Sequence, residues 1–116
     1  MELYGLEEWG GGYFGVSERG TVQVHPDGDP ARGIDLLEVV EGLRVRDFTP
    51  PLVIRFDGIL EHRMRHLRTA FDEAITEAGY QGGYTCVYPI KVNQQRHVCE
   101  VIRDLGHEMG FGIEAG

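Results

Sequence analysis

The chain has little positive charge, little cysteine, no long apolar run and a single lysine, and each scarcity excludes something. Eleven Lys and Arg stand against nineteen Asp and Glu in 116 residues, a formal net charge of −8. A sequence-independent grip on nucleic-acid phosphates or anionic lipid is therefore not expected. No apolar stretch approaches the ~20 residues that a membrane helix needs. The opening Met1-Glu2-Leu3-Tyr4-Gly5 shows neither a basic stretch nor an apolar h-region, so no secretory signal is read. Cys86 and Cys99 are accordingly expected to stay reduced in a cytosol. The length suits one small domain or a piece of a larger one, and 41% hydrophobic residues suffice for a core.

Glycine is the abundant residue: 17 of 116 positions, about twice the ~7% average, in short clusters without a repeat. In the glycine-rich opening, Tyr13-Phe14-Gly15-Val16 and Thr21-Val22-Gln23-Val24 flank Ser17-Glu18-Arg19-Gly20 and read as a β-hairpin. His25 to Pro30 is turn-rich and reads as a loop. From Ile34 the pattern turns helical, with Leu36, Leu37, Val40 and Leu43 in step and Asp35 near the start, where a carboxylate suits the helix dipole. Thr49-Pro50-Pro51 ends that segment.

The rest alternates regularly. Leu52 to Phe56 is a β-branched run of the buried-strand type, and a long helix follows from about Ile59 to Ala78. Its Leu60, Met64, Leu67, Phe71, Ala74, Ile75 and Ala78 share one stripe, and Gly79 suits its C-terminal cap. Cys86 to Ile90 is a second apolar run, with Pro89 an awkward member. A helix from about Gln95 to Leu105 closes at Gly106, and Phe111 to Ala115 reads as a third strand. Strand, helix, strand, helix, strand with short connections implies βαβ units, hence three parallel strands with right-handed crossovers. Three such strands leave open edges, so the pattern suggests a fragment of a larger α/β domain.

Ten of the eleven basic residues are Arg, and the exception is Lys91. It follows the run ending at Ile90, at the C-terminal end of a parallel strand, the edge where open α/β sheets and (β/α)8 barrels bind ligands. Only Lys, not Arg, has an amine that can lose its proton and form a Schiff base with an aldehyde. A solvated surface charge is the plain alternative. His62 and His66 share a face of the long helix, yet the segment between them is Arg63-Met64-Arg65, which repels a cation, so a solvated face is favoured over zinc. Cys86 and Cys99 lack a Cys-x-x-Cys partner and read as small buried side chains. Gly10-Gly11-Gly12 precedes a strand and reads as a tight turn instead of a phosphate cradle. Glu114, at the same sheet edge as Lys91, and His25, His97 and His107 receive no role.

The letters around Lys91 add a resemblance. Tyr88-Pro89-Ile90-Lys91-Val92-Asn93-Gln94 closely resembles the cofactor-lysine segment of the biosynthetic arginine decarboxylases. Tyr4 to Phe14 is similar to that family's N-terminal signature, Ile34-Asp35-Leu36-Leu37 to its next block, and Gly110 to Gly116 to its third barrel strand, all in the family's order. The departures are Asp57-Gly58 in the first strand-to-helix loop and the two cysteines, which leave the lysine motif intact.

The resemblance implies an α/β fold: the N-terminal part, about three strands, of a pyridoxal-phosphate-binding (β/α)8 barrel of the alanine-racemase-like type. Residues 1–33 would contribute to a β-rich domain, 34–51 would be helix and linker, and 52–116 would form the first βαβαβ units. It implies Lys91 as the catalytic, Schiff-base-forming lysine for pyridoxal 5'-phosphate. The expected activity is decarboxylation of L-arginine to agmatine and CO2, feeding polyamine and spermidine synthesis, in a cytoplasmic homo-oligomer with shared sites. Mg2+ is implied by the resemblance alone, with no ligand named. The groups for phosphate, ring nitrogen and substrate would lie in later strands, so the fragment alone is expected to be inactive. Two alternatives stay open: a diaminopimelate or ornithine decarboxylase, whose motifs lack the Pro-Ile and Val-Asn-Gln neighbours, and a truncated regulatory relative.

Overall fold

A computed structural model describes residues 4–116; Met1, Glu2 and Leu3, where the reading for a signal begins, lie outside the described residues. The chain divides into two compact units, one ending at Ile59 and one starting at Leu60.

In the first unit a single helical turn, α1 (Leu6–Trp9), precedes the hairpin of β1 (Phe14–Val16) and β2 (Val22–Val24). The strands run antiparallel, with Phe14 opposite Val24 and Val16 opposite Val22. The Ser17 to Gly20 turn closes as the sequence predicts: the Ser17 N–H donates to the Thr21 carbonyl at 2.8 Å and the Gly20 N–H to the Ser17 carbonyl at 2.9 Å. A third strand, β3 (Ile34–Asp35), pairs with β2 where the sequence pattern predicted the start of a helix. The helix, α2 (Leu36–Arg44), begins one residue later because Asp35 caps it, its Oδ1 accepting from the N–H of Leu37 and Glu38. The other oxygen of the same carboxylate accepts from the Thr21 hydroxyl. That bond, with the two capping amides, holds the Asp35 carboxyl below its usual range. Val24 is the fully buried centre of the unit.

Leu52 to Phe56 departs from expectation. It forms no ladder among the described residues, and Val53 is 80% exposed. A β-branched run favours a strand only where a neighbouring strand takes up its N–H and C=O groups, and no described strand pairs with it.

The second unit is built on α3 (Asp57–Glu77), α4 (Arg96–Met109) and two strands, β4 (Cys86–Pro89) and β5 (Phe111–Glu114). The strands are parallel, Cys86 opposite Phe111 and Pro89 opposite Glu114. The expected parallel sheet is thus present with two strands instead of three. Pro89 is tolerated for a geometric reason. The Ile90 N–H donates to the Glu114 carbonyl at 3.0 Å, so the preceding residue points its nitrogen to the other side, where no described strand needs a donor.

The α3 helix ends as the sequence predicts, in a Schellman motif: Tyr80 N–H to Ile75 carbonyl at 3.0 Å, Gly79 N–H to Thr76 carbonyl at 3.2 Å, with Gly79 at φ +62°. The predicted end of α4 needs correction. The helix runs through Gly106 to Met109, and Gly110, at φ +69°, is its cap. Gly106 is a packing glycine. A Cβ there would stand 3.0 Å from the Phe111 Cβ and 3.2 Å from the Phe111 carbonyl oxygen. This close approach lets α4 fold back on the strand that follows it. The core is Met64, Ile102 and Met109, with Leu60, Tyr88, Val98, Leu105 and Phe111 packed around them. Each such side chain fully removed from water contributes roughly 1.5–3 kcal/mol before entropy is counted.

Candidate active site

Lys91 lies in the turn between β4 and α4, at the C-terminal edge of the parallel pair, where its position in the sequence placed it. Backbone bonds fix the turn's entry: Ile90 N–H to the Glu114 carbonyl at 3.0 Å, and Val92 N–H to the Pro89 carbonyl at 3.1 Å. Asn93 governs its exit. The Asn93 Oδ1 accepts from the Gln95 N–H at 3.0 Å, an Asx turn that leads the chain into α4. The Asn93 carbonyl accepts from the Tyr88 hydroxyl at 3.0 Å.

The Lys91 side chain itself is exposed. Among the described residues it has no ion pair, whereas Arg19, Arg32, Arg65, Arg68, Arg96 and Arg103 each hold a carboxylate. A primary amine that no carboxylate occupies, on a pinned turn at the ligand-binding edge of a parallel pair, is suited to condense with a carbonyl. In that respect the residues fit an aldehyde cofactor. Glu114 is exposed at the same edge, one register step from the turn.

The other candidates fall elsewhere. His62 and His66 lie on α3, and no group of three or more His, Cys, Asp or Glu among the described residues is arranged to hold a metal ion. Cys86 and Cys99 are free and half-buried, and the Cys99 thiol points at the Asn93 carbonyl at 3.7 Å. Gly11 and Gly12 take φ +55° and +83° in the turn before β1, a tight turn as predicted. At the opposite end of β4, Tyr84 stacks on Phe71 with centroids 4.3 Å apart and Arg68 lies over its ring. Desolvation there, with a hydrogen bond from the phenol to the Cys86 sulfur, pushes the Tyr84 phenol up. A cavity of about 630 Å³ lined by Arg65, Arg68, Asp72, His107 and Gly110 lies at that end too, away from Lys91.

Sequence reasoning missed three things. His25 is buried in the first unit between Gly15 and Gly33, where added Cβ atoms would come within 2.9 Å and 3.3 Å of its ring. Its Nε2, like that of His97, has no hydrogen-bond partner among the described residues. The jobs of Tyr88 and Asn93 were also unread, although an Asn two residues before a helix N-cap is a recognisable Asx signal.

No protein-family model matches the chain. It is 51% identical over 115 residues to the biosynthetic arginine decarboxylase of Synechococcus sp. (strain RCC307), a match covering 99% of this chain and 18% of that protein. The protein of the same name from Rhodopirellula baltica is 50% identical over 99% of this chain and 17% of its own length. The crystal structure of the biosynthetic arginine decarboxylase SpeA from Campylobacter jejuni superposes with a TM-score of 0.83 at 28% identity, over 97% of this chain and 18% of that one. The chain thus spans under one fifth of the relatives it matches.

Proposed function

We propose, from a chain homologous along 99% of its length to biosynthetic arginine decarboxylases, that it is part of a longer enzyme that decarboxylates L-arginine to agmatine and CO2 with pyridoxal 5'-phosphate. The observation that carries this reading is the unpaired amine of Lys91 at the C-terminal edge of the parallel pair, inside the motif those enzymes share. Two parallel strands and their crossover helix are the repeating unit of a (β/α)8 barrel, and the antiparallel first unit fits a β-rich neighbour. The cofactor, when bound, supplies the electron sink for the pair left behind as CO2 departs.

The residues of this chain contribute the following. Lys91 Nζ would hold the cofactor covalently and, when free, would be a base at the same edge, able to carry a proton to or from the substrate. The turn from Ile90 to Asn93 orients it. Groups for the phosphate, the ring nitrogen, the arginine side chain and Mg2+ belong, in this reading, to later strands and a partner subunit of a cytoplasmic homo-oligomer that feeds polyamine synthesis.

The test has two parts. The reading frame beyond codon 116 should continue through further barrel strands with a glycine-rich phosphate loop. In that full-length protein, Lys91→Arg should abolish agmatine formation and the borohydride-fixed pyridoxyl label at position 91. A stop codon after Gly116, or full activity in the Arg variant, overturns the proposal.

A further inference from the structure

Two donors from different elements converge on one backbone oxygen just past Lys91. The Tyr88 hydroxyl, on β4, reaches the Asn93 carbonyl at 3.0 Å, and the Cys99 thiol, in the first turn of α4, lies 3.7 Å from the same oxygen. A carbonyl has two lone pairs, and here one is addressed from the strand and the other from the helix. The ring of Tyr88 packs on the Met64, Ile102 and Met109 core. A phenylalanine would serve that packing, so the hydroxyl is the part of the side chain that the core does not need. Asn93 also caps the approach to α4 through its own side chain, so it cannot shift without disturbing the helix start. Ile90 and Val92 fix the other side of the turn. Lys91 therefore sits between two anchored flanks, with only its side chain free to swing.

We infer that Tyr88, backed by Cys99, is a positioning residue for Lys91. It holds the Asn93 carbonyl so that Nζ is presented from one direction, and it touches neither cofactor nor substrate. The inference rests on the reading of Lys91 as the cofactor lysine, but the anchoring itself can be measured without that reading.

The experiment uses the full-length protein and its Tyr88→Phe, Cys99→Ala and Cys99→Ser variants. Amide hydrogen exchange of residues 91–94 is followed without cofactor, relative to the core amides of Ile102 and Leu105. Borohydride-fixed pyridoxyl label on the Lys91 peptide is counted per folded molecule. Tyr88→Phe should speed exchange in the turn about fivefold and slow labelling by a similar factor, the size one net hydrogen bond carries. Cys99→Ala should do the same more weakly, and Cys99→Ser, which keeps a donor, should restore the parent values. Unchanged turn exchange in Tyr88→Phe overturns the inference, and the two Cys99 variants decide it in the same way if Tyr88→Phe does not fold. Loosened exchange with unchanged labelling also overturns it, since the anchor would then serve the fold alone. If the parent protein takes no label at Lys91, the cofactor reading fails and with it the role of positioning for chemistry.

Discussion

The unit up to Ile59 and the unit from Leu60 hold their strands by different means. In the first, β1, β2 and β3 are consecutive in the chain and pair antiparallel, so a short turn and then a local loop bring each partner into place. Polar side chains finish the work. The Thr21 hydroxyl donates to the Asp35 carboxylate and is itself bonded to the Ser17 hydroxyl at 2.6 Å, and Asp35 then starts α2. In the second unit β4 and β5 are parallel and cannot meet through a turn; the whole of α4 must cross between them and pack back. Its stability rests on Met64, Ile102, Met109 and one close glycine approach. A sheet closed by local turns spends its polar groups on itself. A parallel pair leaves its C-terminal ends free, and there the unpaired amine sits.

The sharpest break between chemistry and stability is expected at Lys91. Lys91→Ala should remove all cofactor labelling and activity from the full-length protein. It should change thermal stability by no more than about 0.5 kcal/mol, because the side chain is exposed and has no ion pair among the described residues. A loss of several degrees in the melting temperature would show that the amine has a structural partner and would weaken the whole reading.

Next in size is Gly106→Val. The added atoms meet the Phe111 Cβ and carbonyl oxygen where α4 approaches β5 closely. Overpacking of this kind costs about 1–3 kcal/mol. Hydrogen exchange should locate the loss in the second unit, at Ile102 and the β4–β5 ladder, with the Val24 amide unmoved. Equal loosening of β1–β2 would mean that the two units melt as one, and the contrast between them would be of construction only.

How much of this was legible in the letters follows the same contrast. The hairpin was readable because Ser17-Glu18-Arg19-Gly20 is turn chemistry between two alternating runs, and α3 because its stripe repeats for over five turns. Gly79 and Gly110 both stop helices, yet only the first was read. Gly106 stands at a plausible end, and nothing local tells a packing glycine from a cap. The two-residue β3 was hidden because Ile34 and Asp35 also suit a helix start, and pairing with β2 is a non-local fact. Leu52 to Phe56 shows the reverse: strong strand composition without a neighbour makes no ladder. At the site, Lys91 was legible from its rarity and its place after a strand. The anchoring of Asn93 by Tyr88 and Cys99 was not, because it depends on three residues from three elements meeting at one oxygen.

A smaller loss is expected at the end of α3. Gly79→Ala forces a Cβ into φ +62° with open space around it, so backbone strain alone acts and costs about 1 kcal/mol. Urea unfolding should show an unchanged slope and a lower midpoint; a loss beyond that range would mean an unseen packing contact.

The smallest effects separate two aspartates whose carboxyls are both held below their ordinary range. The Thr21 hydroxyl does this for Asp35 in the first unit, and the neighbouring Arg103 guanidinium for Asp104 in the second. A carboxyl whose folded value lies below its unfolded one, about 3.9 for Asp, stabilises the protein above that range. The contribution fades as pH falls through the folded value. The two should nevertheless differ. The bond to Thr21 joins residues 14 apart and exists only when β2 and β3 have paired, so the unfolded chain lacks it. Arg103 and Asp104 are adjacent in sequence and exposed, and the unfolded chain keeps much of their attraction. Asp35→Asn should therefore flatten the acid limb of first-unit stability, read as Val24 amide exchange between neutral pH and about pH 3. Asp104→Asn should leave the acid limb of the second unit where it was. An Asp35→Asn protein that loosens on acidification as steeply as its parent would show that Thr21 and the α2 amides do not need the charge, and that the first unit is held by geometry alone.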